Sequence, residues 1–388
     1  MRIAVLLTNP IQHEIPFLKS ISHHTEYEVD VIYYSKEGSE NFNYFGLKKI
    51  NYGIPMLLGY NSIMLKNISP FKGYKLRFIS PGIIKALNKG NYNYILMYGY
   101  QSPTSLLAII YAKIKKIPII QRSEGESIQN ISKFKKTIRQ LIYPHIYKVF
   151  DGFTALCHAN KNHYLEYGVK KSDIALVPQT VNDEFFSNPD LSRFETLRLQ
   201  YNLDKEETLF IFGSKLRKEK SPLDAVKAFC LLPVNVKAKL IILSEGPERK
   251  ICEDYVMSKK FTNKIIFTGF VPFEDMRDLF NLADVLLMTS SETIGATLYQ
   301  AIFSSLAIIS SDKVPAWQDL VHIEKNGFIY SYGNIKKLHH CIKYFIKNKE
   351  SIPYMKNYSK QLSHNFTSEK SGQQFFEFIN NRFTINNI

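Results

Sequence analysis

Acidic residues are missing from a long stretch of this chain. None occurs between Glu40 and Glu124, while twelve Lys/Arg stand there, among them Lys48, Lys49, Lys72, Lys75, Arg77 and Lys113. Such a field repels cationic ligands and attracts polyanions: phospholipid surfaces, lipid pyrophosphates or nucleic acid. Cysteine is scarce too. Cys157, Cys230, Cys252 and Cys341 are scattered without a C-x-x-C pair, which speaks against a disulfide framework or zinc site and fits a reducing cytosol. Long apolar runs are lacking. Residues 106–112 form the longest later stretch, far below the roughly 20 residues of a membrane span. At the start, residues 3–7 are apolar before polar and proline residues intervene, so the segment reads as a buried first strand and not as a signal peptide. No internal repeat and no low-complexity segment appears.

What is present is ordinary for a globular protein: 45% hydrophobic and 22% charged residues. A length of 388 residues exceeds what one core usually supports and implies two domains. The net charge of +15 is uneven, since residues 1–150 hold 20 Lys/Arg against 8 Asp/Glu and the rest 30 against 27. A solvated basic face is the plain reading of that excess; attraction to a membrane or an anionic acceptor is the functional one. No nucleic-acid motif accompanies the charge.

Strand-like and helix-like patterns alternate. Residues 3–7, 27–34, 94–98, 117–121, 153–156 and 174–177 read as strands, with helices at 15–21, 104–115 and near 160–167. After Val181 the pattern loosens into NDEFFSNPDLSRF, a turn-rich stretch that suits a linker. A second series follows, with strands at 209–212, 239–243, 265–267, 285–288, 307–310 and 327–330. Helices are expected between them at 223–231, 249–259, 273–283 and 296–303. Alternation of this kind argues for an α/β chain with two doubly wound, Rossmann-like parallel sheets facing a central cleft, where ligands meet the carboxyl ends of the strands. The expected domains are 1–190 and 191–370. A tail over 371–388, helical at 373–383, is expected to pack back on the first domain.

Chemistry concentrates in the second half. Strand 209–212 runs into Gly213-Ser214-Lys215-Leu216-Arg217-Lys218-Glu219-Lys220, ahead of a helix opened by Pro222. Small residues let a ligand approach the backbone, and Lys215 and Lys220 flank the turn beside a positive helix end, which suits a diphosphate. Alone, such lysines are more often merely solvated. Ser244 to Arg249 forms a strand-to-helix turn around Gly246 with Pro247 at its helix-opening end. Gly269-Phe270-Val271-Pro272 follows another strand. The most informative segment is Ser290-Ser291-Glu292-Thr293-Ile294-Gly295-Ala296-Thr297-Leu298-Tyr299-Gln300-Ala301. There an acid precedes a glycine turn, and the next helix opens with small residues. Its first amides would face an anion while Glu292 accepts hydrogen bonds from hydroxyls.

In order and spacing, residues 209–330 resemble the donor-binding domain of the retaining family 4 glycosyltransferases, which have the GT-B fold. That family's pattern runs glycine, basic residue, leucine, lysine; then a "GdGp" turn, "GfvP" and a Glu-x7-Glu signature. The first half resembles cell-surface polysaccharide members less tightly, through Pro10-Ile11-Gln12-His13, Pro55 to Tyr60, Arg122-Ser123-Glu124 and Tyr167-Gly168-Val169. The resemblance implies a nucleotide-diphosphate sugar donor, with Lys215 and Lys220 on the diphosphate and Glu292 on the transferred sugar. It implies amides of Gly295, Ala296 and Thr297 on sugar and phosphate, the backbone of Phe270 and Val271 on the base, and Ser214, Gly246 and Ile294 among the donor-binding residues. The second signature glutamate, which takes the ribose hydroxyls, is Gln300 here. A glutamine keeps the hydrogen bond but not the charge, a loss of about 1 kcal/mol.

A nucleotide sugar breaks as charge builds on the bridging oxygen, so fixed positive groups are the main need. Lys215, Lys220 and a helix amino end supply them without a metal, and no Asp-x-Asp occurs in the chain; no cofactor or metal is expected. Glu124-Gly-Glu126 reads as loop acids. On the acceptor side His13 follows the first strand, and Arg122 and Glu124 follow strand 117–121. His13 is a candidate for assisting an acceptor hydroxyl, although a structural loop histidine is the plainer reading. In this fold retention is usually described as same-face attack, with the donor phosphate taking the acceptor proton. The expected function is thus a cytoplasmic, metal-independent retaining transferase, peripheral at an anionic inner membrane face. Its acceptor would be a glycan or lipid-linked glycan of capsule, lipopolysaccharide or related polysaccharide. A nucleotide-sugar epimerase of the same fold and a non-catalytic basic membrane- or nucleic-acid-binding protein are the alternatives.

Overall fold

The computed structural model describes residues 1–36, 55–71, 76–124, 133–292 and 294–384. It divides into two compact units, one of residues 1–181 with 368–388 and the other of 182–367.

In the first unit the order is β1 (Arg2–Leu7), α1 (Ile15–Ser22), β2 (Glu28–Tyr33), β3 (Asn61–Met64), α2 (Gly82–Gly90) and β4 (Tyr94–Tyr98). Then come α3 (Pro103–Lys115), β5 (Ile119–Arg122), α4 (Lys133–Tyr147), β6 (Gly152–Ala155), α5 (His158–Glu166) and β7 (Ile174–Leu176). The seven strands line up as β3-β2-β1-β4-β5-β6-β7, all pairs being parallel. Residues 3–7 of β1 are fully buried, as a central parallel strand covered on both faces must be. One face carries Ala108, Ala112, Tyr143 and Tyr147 from α3 and α4; the other carries Phe17 and Leu18 of α1 with the C-terminal helix.

The second unit opens with α6 (Asp183–Ser187) and α7 (Phe194–Gln200), followed by β8 (Thr208–Phe212), α8 (Pro222–Phe229), β9 (Ala238–Leu243) and α9 (Arg249–Ser258). It continues through β10 (Ile265–Gly269), α10 (Phe273–Leu282), β11 (Val285–Met288), α11 (Ala296–Phe303) and β12 (Ala307–Ser311). Last come α12 (Trp317–Leu320), β13 (Gly327–Tyr330), α13 (Ile335–Lys347) and α14 (Ser351–Ser363). Its six strands run β10-β9-β8-β11-β12-β13, again parallel.

The stretch NDEFFSNPDLSRF is not a slack connector but belongs to the second unit. Asn182 caps α6 by accepting from the Phe185 amide at 3.2 Å. Phe185 stacks on Phe273 of α10 at 4.4 Å between centroids, and Phe186 is almost wholly buried. Two adjacent aromatics outweigh the turn residues around them, because each buries more apolar surface than a solvated loop would. The C-terminal helix α15 (Ser368–Ile379) belongs to the first unit. Phe375 meets Phe17 edge-on at 5.7 Å. Gly372 lets α1 close in, since a Cβ there would stand 2.2 Å from Ser20 Oγ.

Candidate functional site

The four motif loops of the second unit leave the carboxyl ends of β8, β9, β10 and β11, which are neighbours in the sheet order β10-β9-β8-β11. Chain direction across the sheet reverses between β8 and β11, the place where open parallel sheets leave a ligand crevice. The Lys220 ammonium, after β8, meets the Glu292 carboxylate, after β11, at 2.5 Å. Both side chains are largely withdrawn from solvent, at 23% and 13% exposure.

Backbone bonds stitch these loops together. Leu216 N donates to Glu245 O at 3.1 Å and Glu248 N to Leu216 O at 3.0 Å. That approach requires Gly246, because a Cβ there would stand 2.2 Å from Leu216 O. Ser244 bridges to Gly269, tying the Phe270–Val271 loop to the same edge; the Phe270 side chain is itself exposed. Thr289 Oγ1 donates to the carbonyls of Lys220 and Ser221, each at 2.9 Å. Ser291 N donates to Glu219 O at 2.9 Å, and Glu292 N to Lys313 O at 3.3 Å. Lys220 and Glu292 are thus held from both sides of the reversal.

Helix α11 starts from Gly295, whose φ of 108° lies in the region that favours glycine. A Cβ there would stand 2.3 Å from Val314 Cγ1. Ala296 and Thr297 occupy the first turn, and Gln300 lies one turn on, half-buried. Ile294 is buried and its carbonyl accepts from Ala316 N at 3.0 Å. Thr293 falls outside the described residues. Ser214 is buried at the end of β8. Desolvation first, then the charges of Arg217 and Lys220, hold the Lys215 ammonium below its ordinary pKa. An arriving anion would relieve that crowding of positive charge. A basic pair, a helix amino end and an acid beside them can bind a diphosphate and orient a polyol next to it.

In the first unit the direction reverses between β1 and β4. His13 lies on a short 3₁₀ turn after β1, with Nε2 at 3.6 Å from Glu124 Oε1. Burial opposes its charge, but the Glu124 hydrogen bond and the charges of Glu14 and Glu124 outweigh burial and the Arg122 charge, so its pKa is raised. Thr180 Oγ1 donates to His13 O at 2.9 Å. Arg122, expected as an acceptor contact, is instead fully buried. Its guanidinium stands 3.4 Å from Glu14 Oε2, donates to Val177 O at 2.9 Å and lies 4.3 Å over the Phe17 ring. Tyr98 Oη donates to the same Glu14 oxygen at 2.7 Å. Arg122 therefore acts on the loop next to His13 through Glu14, with no face left for a ligand. Sequence reasoning passed over Glu14 and Tyr98. Their only signal was an acid beside His13 and a tyrosine closing a buried strand. Glu126 lies outside the described residues, and no group of three or more His, Cys, Asp or Glu that could hold a metal occurs among the described ones.

These sheets and the whole-chain structural likeness define a protein of the GT-B glycosyltransferase fold. The structure titled Anabaena Alr3699/HepE in complex with UDP has a TM-score of 0.76 over 100% of both chains at 16% identity. Residues 193–362, within the second unit, match the family model described as glycosyl transferases group 1. N-acetyl-alpha-D-glucosaminyl L-malate synthase of Bacillus anthracis is 24% identical over 185 residues, 47% of each chain. Alpha-monoglucosyldiacylglycerol synthase of Acholeplasma laidlawii is 26% identical over 241 residues, 58% of this chain and 60% of that one. The chain therefore aligns with about half of the length of these curated relatives.

Proposed function

We propose that this protein is a retaining glycosyltransferase that moves a sugar from a nucleotide-diphosphate donor to a glycan or lipid-linked glycan acceptor in cell-surface polysaccharide synthesis. The observation that carries the reading is the Lys220–Glu292 pair at the sheet reversal, beside the Gly295-capped start of α11. In this reading Lys215 and Lys220 neutralise the diphosphate as the sugar–oxygen bond breaks, assisted by the amides at 295–297. Glu292 accepts hydrogen bonds from the hydroxyls of the departing sugar, and Gln300 takes a ribose hydroxyl. Because these groups are already cationic, the step runs without a metal, and the donor phosphate takes the acceptor proton on the same face.

Retention is favoured by the names of both relatives, which carry an alpha-linked sugar, the product that an alpha-linked nucleotide donor yields with retention. UDP, present in the similar Anabaena structure, makes uridine donors the first to try. A diacylglycerol acceptor in one relative's name fits the basic first unit and work at an anionic inner membrane face. The test is a thermal-shift panel of nucleotide diphosphates and their sugars, followed by NMR of the product's anomeric proton. Stabilisation by one nucleotide family, with the donor's configuration kept in the product, supports the reading. No response to any of them, or an inverted product, refutes it.

A further inference from the structure

Helices α3 and α4 each carry a second apolar stripe, turned away from the core. On α3 the inward residues are Ala108 and Ala112, both fully buried. Outward stand Leu106, Ile110 and Ile114, four residues apart, at 51%, 56% and 73% exposure. On α4 the inward residues are Tyr143 and Tyr147, while Phe134, Leu141 and Ile142 are 75%, 68% and 48% exposed. Spacings of three, four, seven and eight share a helix face. The two helices follow the adjacent strands β4 and β5 and pack on the same sheet face, so their outward stripes point the same way. Large apolar side chains gathered on one side of a unit mark an interaction surface.

Charge selects the occupant. Neither α3 nor α4 contains an Asp or Glu, and the exposed Lys115, Lys116 and Lys148 lie at their carboxyl ends. A second copy docked by a two-fold axis would set this positive face against itself. Nucleic acid would leave the isoleucines and Phe134 against phosphate. A bilayer surface with anionic headgroups offers hydrocarbon to the stripes and negative charge to the lysines.

We infer that the α3–α4 face is the membrane-docking surface, with Leu106, Ile110, Ile114, Phe134, Leu141 and Ile142 entering the headgroup boundary. The inference rests on the membrane reading given above and deepens it. Attraction through the acid-free stretch alone would vanish at high salt, whereas buried apolar side chains hold on at any ionic strength. Part of the binding is therefore resistant to salt, and it depends on a helix outside residues 41–123.

The experiment is co-sedimentation of the full chain with vesicles of phosphatidylcholine, with or without an equal part of phosphatidylglycerol, across a sodium chloride series. Three forms are compared: the parent, Phe134→Ser/Leu141→Ser, and Lys115→Glu/Lys116→Glu. All four sites are exposed, and unchanged melting curves confirm folding. The parent is expected to keep part of its binding to the mixed vesicles at high salt. The serine variant should lose that part, its partition falling at least about tenfold, and the glutamate variant should lose the salt-sensitive part. A serine variant indistinguishable from the parent at every salt concentration overturns the inference and leaves the membrane reading standing. A parent that binds no anionic vesicle even at low salt overturns both. Light scattering that finds a dimer abolished by the serine variant assigns the face to a second copy and overturns the inference.

Discussion

Replacing Lys220 by alanine removes the positive partner of Glu292. At 2.5 Å and an effective dielectric of about 20, their Coulomb attraction is about 7 kcal/mol before desolvation is subtracted. Withdrawing both groups from water consumes most of that, so the donor-free fold should lose only about 1–3 kcal/mol. Turnover should suffer more. A fixed positive group aimed at charge that builds in the transition state contributes about 10²–10³ in rate. The expected signature is therefore unequal: a modest drop in Tm and a loss of about two to three orders of magnitude in kcat/KM. Saturating nucleotide diphosphate, which at about 100 times Kd stabilises a fold by about 2.7 kcal/mol, should produce a smaller shift in the variant. Calorimetry reads the first quantity and release of nucleotide diphosphate the second. Activity within about tenfold of the parent would refute the placement of Lys220 at the leaving group. So would an undiminished nucleotide shift, whatever happened to turnover.

Gln300→Glu should restore the charge of the signature and tighten donor binding about fivefold, the equivalent of about 1 kcal/mol; titration calorimetry checks it. Gly295→Ala places a Cβ 2.3 Å from Val314 Cγ1 at a φ of 108° and should cost about 1–3 kcal/mol by denaturant melt, with weaker donor binding besides. Phe186→Ala should cost about 3–5 kcal/mol, and a loss below 1 kcal/mol (about a surface effect) would return residues 182–190 to a solvated linker. The raised His13 pKa, above its ordinary 6.5, contributes stability that is fully present below the unfolded pKa. That contribution should fade as pH rises through the folded value. Glu124→Gln should bring the His13 titration, followed by NMR of its ring protons, down toward the ordinary range.

Strands buried on both faces were the most sharply legible in the sequence. β4 and β11 begin and end where their apolar runs do, since a covered parallel strand has no polar face to blur its edges. β3 was missed because Asn61–Met64 sits at the sheet edge, half exposed, and mixes polar with apolar residues. Helix α4 was missed for a different reason. Its first turns carry Lys133, Lys135, Lys136 and Arg139, and Pro144 stands inside it, the marks of a solvated stretch and of a helix break.

For the site, the division lies between contiguous and assembled features. Each donor loop is one short segment at a strand end, so its glycine, basic and acidic residues could be read in place. The meeting of Lys220 with Glu292 needs the order β8-β11, which a doubly wound sheet supplies and a linear string does not state. Arg122 shows where the reading ends. In sequence it is a charged residue after an apolar run, the usual mark of a ligand contact at a strand end. Its fate was set by Glu14, 108 residues away, and by the carbonyl of Val177, 55 residues away. A buried guanidinium survives only when such partners satisfy it. Removing it strands the Glu14 carboxylate, so Arg122 is better understood as what holds the His13 turn in place than as a hand extended to the acceptor.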